Sequence, residues 1–179
     1  MAARFGNFII GTGTLVVPGM LPALAEGLDV TLTTKSTLVT RDLDRLVRLA
    51  ARHRLRVRVA LPAVDRVLAR AMEPEAPRPD LRLRTISELA AAGIAVGVIV
   101  APVLPGIGDD PGSIDAVAAA AAGAGATELE ANALPLLPSL QAALFPRLQV
   151  EMPDLVDRAR RRHEQGAVSP EAYRAGIAD

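Results

Sequence analysis

The amino-acid sequence predicts an α/β fold, a parallel sheet forming part of a (βα) barrel. Three observations predict it. Short β-branched segments alternate with longer segments of helical periodicity. Ile94 to Ala101 (IAVGVIVA) is a continuous apolar run, as expected of a strand buried on both faces. Glycine and proline punctuate the boundaries between segments. Strands separated by helices imply parallel βαβ units with right-handed crossovers. The pattern yields four strands, too few to close an eight-strand barrel. An open doubly wound sheet is the alternative on pattern alone.

The elements follow in order. Asp29 to Thr34 (DVTLTT) reads as a strand. Thr40 can cap a helix from Arg41 to about His53, with Leu43, Leu46, Val47 and Ala50 as its apolar stripe. Arg56 to Leu61 (RVRVAL) alternates like a strand, and Pro62 begins a helix to Met72. Glu73 to Pro79 holds three prolines and must be a loop. Asp80 caps a helix ending at Gly93, which suits a left-handed position just past the helix. The strand at Ile94 follows, then a loop at Pro105-Gly106.

Asp110-Pro111 is a good cap and first-turn pair for the Ala-rich helix that ends before Gly123 and Gly125. Thr127 to Ala133 is a further strand. Pro135, Pro138 and Pro146 break up the next stretch, before helices from Asp154 to Gln165 and Pro170 to Ile177. This divides the chain into an atypical N-terminal segment (1–19), a partial βα barrel (20–135) and a Pro-interrupted C-terminal helical tail (136–179).

Composition narrows the chemistry. The 179 residues contain no cysteine, which excludes thiolate metal sites, thiol catalysis and disulfides formed by this chain. Net charge is +0, which argues against a dedicated polyanion binder. The apolar run at Ile94 is too short to span a bilayer, and Gly11 and Gly13 interrupt the apolar start of the chain. The expected setting is a soluble, cytoplasmic one.

Lys35 is the only lysine among twenty basic residues and directly follows a strand. In parallel α/β folds the carboxyl ends of the strands form the ligand face, so a cation there can hold a carboxylate or phosphate. Asp109 and Asp110 also follow a strand and suit a metal or a hydroxyl, although capping explains Asp110 well. Glu73 and Arg82 bracket the Pro-rich loop and suit a pairing with a ligand or, more simply, an ion pair with each other that braces the loop. Arg41, Arg45, Arg48 and Arg52 share one helical face and read as solvated, paired with nearby aspartates. Arg158, Arg160, Arg161 and Arg162 in the tail read the same way. His53 and His163 have no metal-ligand partner by spacing. Gly11-Thr12-Gly13 is not a dinucleotide fingerprint, because Val16 stands where the third glycine belongs and Pro18 follows. No residue is singled out as catalytic.

Two longer blocks carry a resemblance. Leu32 to Leu46 (LTTKSTLVTRDLDRL) and Leu68 to Asp110 (LARAMEPEAPRPDLRLRTISELAAAGIAVGVIVAPVLPGIGDD) resemble radical S-adenosylmethionine proteins of the spore photoproduct lyase-like subgroup, also described as DNA-repair-photolyase-like. That subgroup shows a KSxLVxRDxDLL stretch, an EPGAPSP loop and a VxVAPxxPGxND strand and loop. The tail from Arg158 to Ala175 is similar to its C-terminal region. The resemblance implies a partial barrel of the radical SAM type. It also implies S-adenosylmethionine and a 4Fe–4S cluster held by a CxxxCxxC loop as cofactors, with nucleic acid as a substrate by family analogy.

By the same resemblance, Lys35 lies near the cofactor's carboxylate, the backbone of Ala101 lines its pocket, and Glu73, Pro74 and Arg82 hold a loop. This chain departs from the pattern at several points. It lacks the cluster cysteines, Ala60 stands where the subgroup's lyase has a serine, and Glu75 replaces the glycine of the EPG motif. A truncated protein that holds no cluster and is inactive alone is the expectation. The alternatives are a non-catalytic half-barrel remnant that binds a small anion, or meets a partner chain or a second copy at an open sheet edge, and a small α/β enzyme of another kind using Lys35 and Asp109.

Overall fold

The computed structural model describes residues 5–10, 29–134 and 137–164. The Gly11-Thr12-Gly13 segment and the helix expected from Pro170 to Ile177 lie outside them. Five strands form one parallel sheet in the order β1-β2-β3-β4-β5, which is also their order in the chain. They are β1 Phe5–Ile10, β2 Asp29–Thr34, β3 Arg54–Ala60, β4 Ala95–Val103 and β5 Glu128–Ala133. A 3₁₀ helix at Thr37–Asp42 leads into α1 Leu43–Ala50. The other helices are α2 Arg66–Met72, α3 Pro79–Ala91, α4 Pro111–Gly123, α5 Pro138–Glu151 and α6 Pro153–Glu164. None of the described helices is long and apolar enough to cross a membrane.

The sequential order of β2 to β5 follows from right-handed crossovers that all turn the same way. No reversal occurs among the described strands, so the doubly wound alternative does not hold for them. The crossover helices therefore share one face of the sheet. There Val30, Leu32, Leu55, Val57, Val59, Val96, Val98 and Val100 meet Leu46 and Leu49 of α1, Ile86 and Leu89 of α3, and Val117 and Ala121 of α4. Alternate residues of the same strands point to the other face, which is polar. Arg56 and Arg58 of β3 reach across β4 to Glu128 and Glu130 of β5, each pair at 2.8 Å. Gly97 lies between them on β4, where a Cβ would touch the Arg58 stem and the Glu128 Cβ at 3.5 Å.

A second apolar cluster caps the carboxyl end of the sheet. It joins Leu68 and Ala71 of α2, Leu104 and Ile107 after β4, Leu144, Phe145 and Leu148 of α5, and Leu155, Val156 and Ala159 of α6. At Gly106, with φ +76°, a Cβ would lie 2.6 Å from the Ala159 Cα, so only glycine lets α6 cross there.

Local signals explain most boundaries. Gly93 (φ +78°) and Gly125 (φ +93°) each follow a helix in the left-handed region. The two reciprocal bonds of a Schellman cap close both ends: Ile94 and Gly93 donate to Leu89 and Ala90, and Ala126 and Gly125 to Ala121 and Ala122. Asp110 caps α4 with Pro111 in the first turn.

Other starts differ from expectation. Ser36, not Thr40, caps the first helical segment, accepting from the Leu38 N–H at 3.2 Å. Leu46 and Leu49 carry the buried stripe of α1, while Val47 is half exposed. The segment from Pro62 stays irregular until Asp65 caps α2. Pro79, rather than a cap at Asp80, opens α3. Pro146 sits inside α5 instead of ending it. Both Pro146 and Ala142, whose carbonyl loses its i+4 donor, are exposed, so water can serve that carbonyl. Phe5–Ile10 adds a strand beyond the four expected.

Candidate functional site at the carboxyl edge of the sheet

Lys35 directly follows β2, and Ala60 ends β3 beside it. Glu73 closes α2, where its backbone N–H donates to the Ala69 carbonyl. Arg82 lies in the first turn of α3. These elements place a three-membered ionic network at the carboxyl edge of the sheet. Lys35 Nζ stands 3.1 Å from Glu73 Oε1, and Arg82 Nη2 stands 2.6 Å from Glu73 Oε2. Arg82 Nε also donates to the Pro77 carbonyl at 2.7 Å, and its Nη1 to the Ala60 carbonyl at 2.8 Å.

Burial grades the network. The Arg82 side chain is 2% exposed, Glu73 13% and Lys35 35%. A buried guanidinium needs a carboxylate and further acceptors to offset its desolvation, and Arg82 has all of these. The resulting assembly ties β3, α2, the Pro-rich loop and α3 together. It carries one net positive charge, and that charge is most accessible at Lys35.

The pairing of Glu73 with Arg82 agrees with the bracing role expected of them. The pairing of Lys35 with Glu73 was not legible, because 38 residues separate the partners. Ala101 lies on β4 at the same edge, with β3 between it and the end of β2, and is half-buried.

Asp109 and Asp110 stand apart from this network. Asp110 accepts from the Ser113 backbone N–H at 2.9 Å and the Ser113 hydroxyl at 2.7 Å. The hydroxyl bond, with the backbone bonds and the nearby Arg158 guanidinium, holds its carboxyl below the ordinary range despite some burial. Asp109 faces Arg162 at 4.0 Å. Arg158 donates to the Gly106 carbonyl, and Arg160 approaches Asp157 and lies over the Phe145 ring. Arg158, Arg160 and Arg162 therefore brace α6 against its surroundings.

Asp42 is a buried carboxylate between Arg41 at 3.1 Å and Arg45 at 2.7 Å. That part of the arginine face is paired as expected. The Arg56–Glu128 and Arg58–Glu130 pairs were missed. The alternation RLRVRV and ELE does place those charges on one strand face, but which strands neighbour one another is a tertiary fact. Among the described residues no group of three His, Cys, Asp or Glu could hold a metal ion.

No family model matches the chain. It is similar to an uncharacterized protein of Mycobacterium tuberculosis, 35% identical over 160 residues, which are 89% of this chain and 47% of that protein. An uncharacterized protein of Mycobacterium bovis matches to the same extent, 35% over 160 residues. An uncharacterized protein of Acidianus two-tailed virus is 36% identical over 83 residues, 46% of this chain and 27% of the viral protein. The chain spans about half the length of the mycobacterial relatives, 47% in each case.

Proposed function

We propose that this chain is a partial βα barrel of the radical S-adenosylmethionine type, in the spore photoproduct lyase-like subgroup. In this reading it offers a carboxylate-binding edge at Lys35 and performs no cluster chemistry by itself. One observation carries the reading. The sheet is wound in a single direction, with its crossover helices on one face, and the sole lysine stands at the carboxyl end of β2. In such a fold the carboxyl edge is where ligands bind.

The residues present do not fit the cluster. A 4Fe–4S centre of this type needs three cysteine thiolates, and the chain has none. The residues do fit the cofactor's carboxylate. Of the three ammonium N–H groups of Lys35, one is directed to Glu73. The others can meet an incoming carboxylate in a charge-assisted bond. Glu73 competes with such a ligand for Lys35, so the pocket binds it weakly.

Equilibrium dialysis with S-adenosylmethionine tests the reading. Binding should be weak in the natural chain, lost in Lys35→Ala and tighter in Glu73→Gln. Equal binding by the natural chain and Lys35→Ala would remove Lys35 from the role. Anaerobic reconstitution should leave no iron on the chain. Stable binding of about four irons per chain, with visible charge-transfer absorbance, would overturn the cluster-free reading.

A second reading is a non-catalytic module that pairs with a second copy. The observation favouring it is the outer side of β5, which pairs only with β4 among the described strands and leaves Leu129, Leu134 and Leu137 exposed. A free strand edge next to uncovered leucines invites pairing. Sedimentation velocity should then show a dimer that Leu129→Lys dissociates, and a monomer at high concentration would exclude it.

A further inference from the structure

We infer that the chain carries a second ligand site, in the cleft between α2, the Pro-rich loop and α5, which takes a small organic anion with an apolar body. The cleft has a volume of about 800 Å³, within the range of small-molecule sites. Val67, Pro74, Pro77 and Val150 supply apolar wall. Val67 is 40% exposed and Val150 82%, so apolar surface is left uncovered beside the opening among the described residues.

The charge on the walls is unbalanced. Of the four lining arginines, Arg66 and Arg78 both turn to Asp80, at 3.7 and 3.2 Å. Arg70 and Arg147 have no ion-pair partner among the described residues. Glu73 also lines the cleft, but its two oxygens are committed to Arg82 and Lys35. Glu151 is the remaining acid on the walls, set against two uncommitted guanidiniums.

A guanidinium presents a planar fork of donors that matches a carboxylate, phosphate or sulfonate. An inorganic anion alone would leave the valine and proline wall wet, and a neutral apolar molecule would leave the two forks unused. A ligand with an anionic head and an apolar body meets both features. The site is separate from Lys35 and does not rest on the radical S-adenosylmethionine reading.

Fluorescence titration with anilinonaphthalene sulfonate, an aromatic body bearing one sulfonate, tests the inference on the full chain. Uncharged N-phenylnaphthylamine serves as the neutral counterpart. The sulfonate dye should bind one saturable site, and its affinity should fall by about tenfold or more in the double variant Arg70→Glu, Arg147→Glu. The neutral dye should change by less than about twofold in that variant. Val150→Asp should weaken both dyes, and Lys35→Ala neither. All four side chains are at least partly exposed, so the fold is not at stake, and matching thermal melts would verify it. Equal sulfonate-dye affinity in the natural chain and the double arginine variant would overturn the inference. So would the absence of any saturable site.

Discussion

The carboxyl edge of the sheet and its open face each set two basic side chains against carboxylates, and they do different work. At the edge, Arg82 and Lys35 share a single carboxylate, and the guanidinium is almost sealed from water. On the open face, Arg56 and Arg58 each have a carboxylate of their own, and every partner is more than a quarter exposed. Water screens the second set, so its ion pairs add little stability and serve to keep that face polar. The first set is costly to disturb at its buried members, because deleting Arg82 leaves two carbonyls without a donor and deleting Glu73 leaves a buried guanidinium without its carboxylate. Depth, more than charge count, separates a brace from a coating.

Substitutions can sharpen or break that contrast. The largest effect is expected for Arg82→Met, which leaves Glu73 with Lys35 alone and the Pro77 and Ala60 carbonyls without their donor. Urea unfolding should show a loss of about 3–5 kcal/mol, and a loss under about 1 kcal/mol would make the edge no different from the face. Glu73→Gln keeps the shape but removes the charge that pairs both cations. It should cost about 1–3 kcal/mol in the same assay.

Asp110→Ala probes a local, half-buried carboxylate of intermediate rank. It should cost about 1 kcal/mol at neutral pH through loss of the helix cap. The folded carboxyl titrates below its ordinary value of 3.8, so the charged cap stabilises the fold above that pH. The contribution is lost as pH falls through the folded value, and natural and variant stabilities should converge in acid. Parallel curves down to pH 2 would deny the charge any part in the cap. The smallest effect is expected for Arg58→Ala, within about 0.5 kcal/mol. A double-mutant cycle with Glu130→Ala should give a coupling of about 0.2–1 kcal/mol that declines in high salt.

Features governed by neighbours in the chain were readable in the sequence. Gly93 beyond α3, Asp110-Pro111 before α4 and the apolar run of β4 each express a rule spanning a few residues. Features governed by meetings in space were not. Glu73 could be matched to Arg82 across a short loop, but its second bond, to Lys35, depends on α2 lying over the end of β2. The hydroxyl of Ser36 outcompetes that of Thr40 as cap because a 3₁₀ turn starts at Thr37, and periodicity does not report such a turn. Phe5–Ile10 counts as a strand because β2 offers a parallel edge to it, although Gly6 and Asn7 dilute its own pattern.

Gly106 has a consequence for how this sequence can drift. Two demands coincide there, a left-handed backbone and a neighbour whose own main chain fills the space for a side chain. A substitution at Ala159 cannot relieve the second demand, because the obstruction is the Cα and N of residue 159 rather than its methyl group. Position 106 is therefore closed to exchange whatever stands opposite. The point at which α6 crosses the loop after β4 therefore stays fixed.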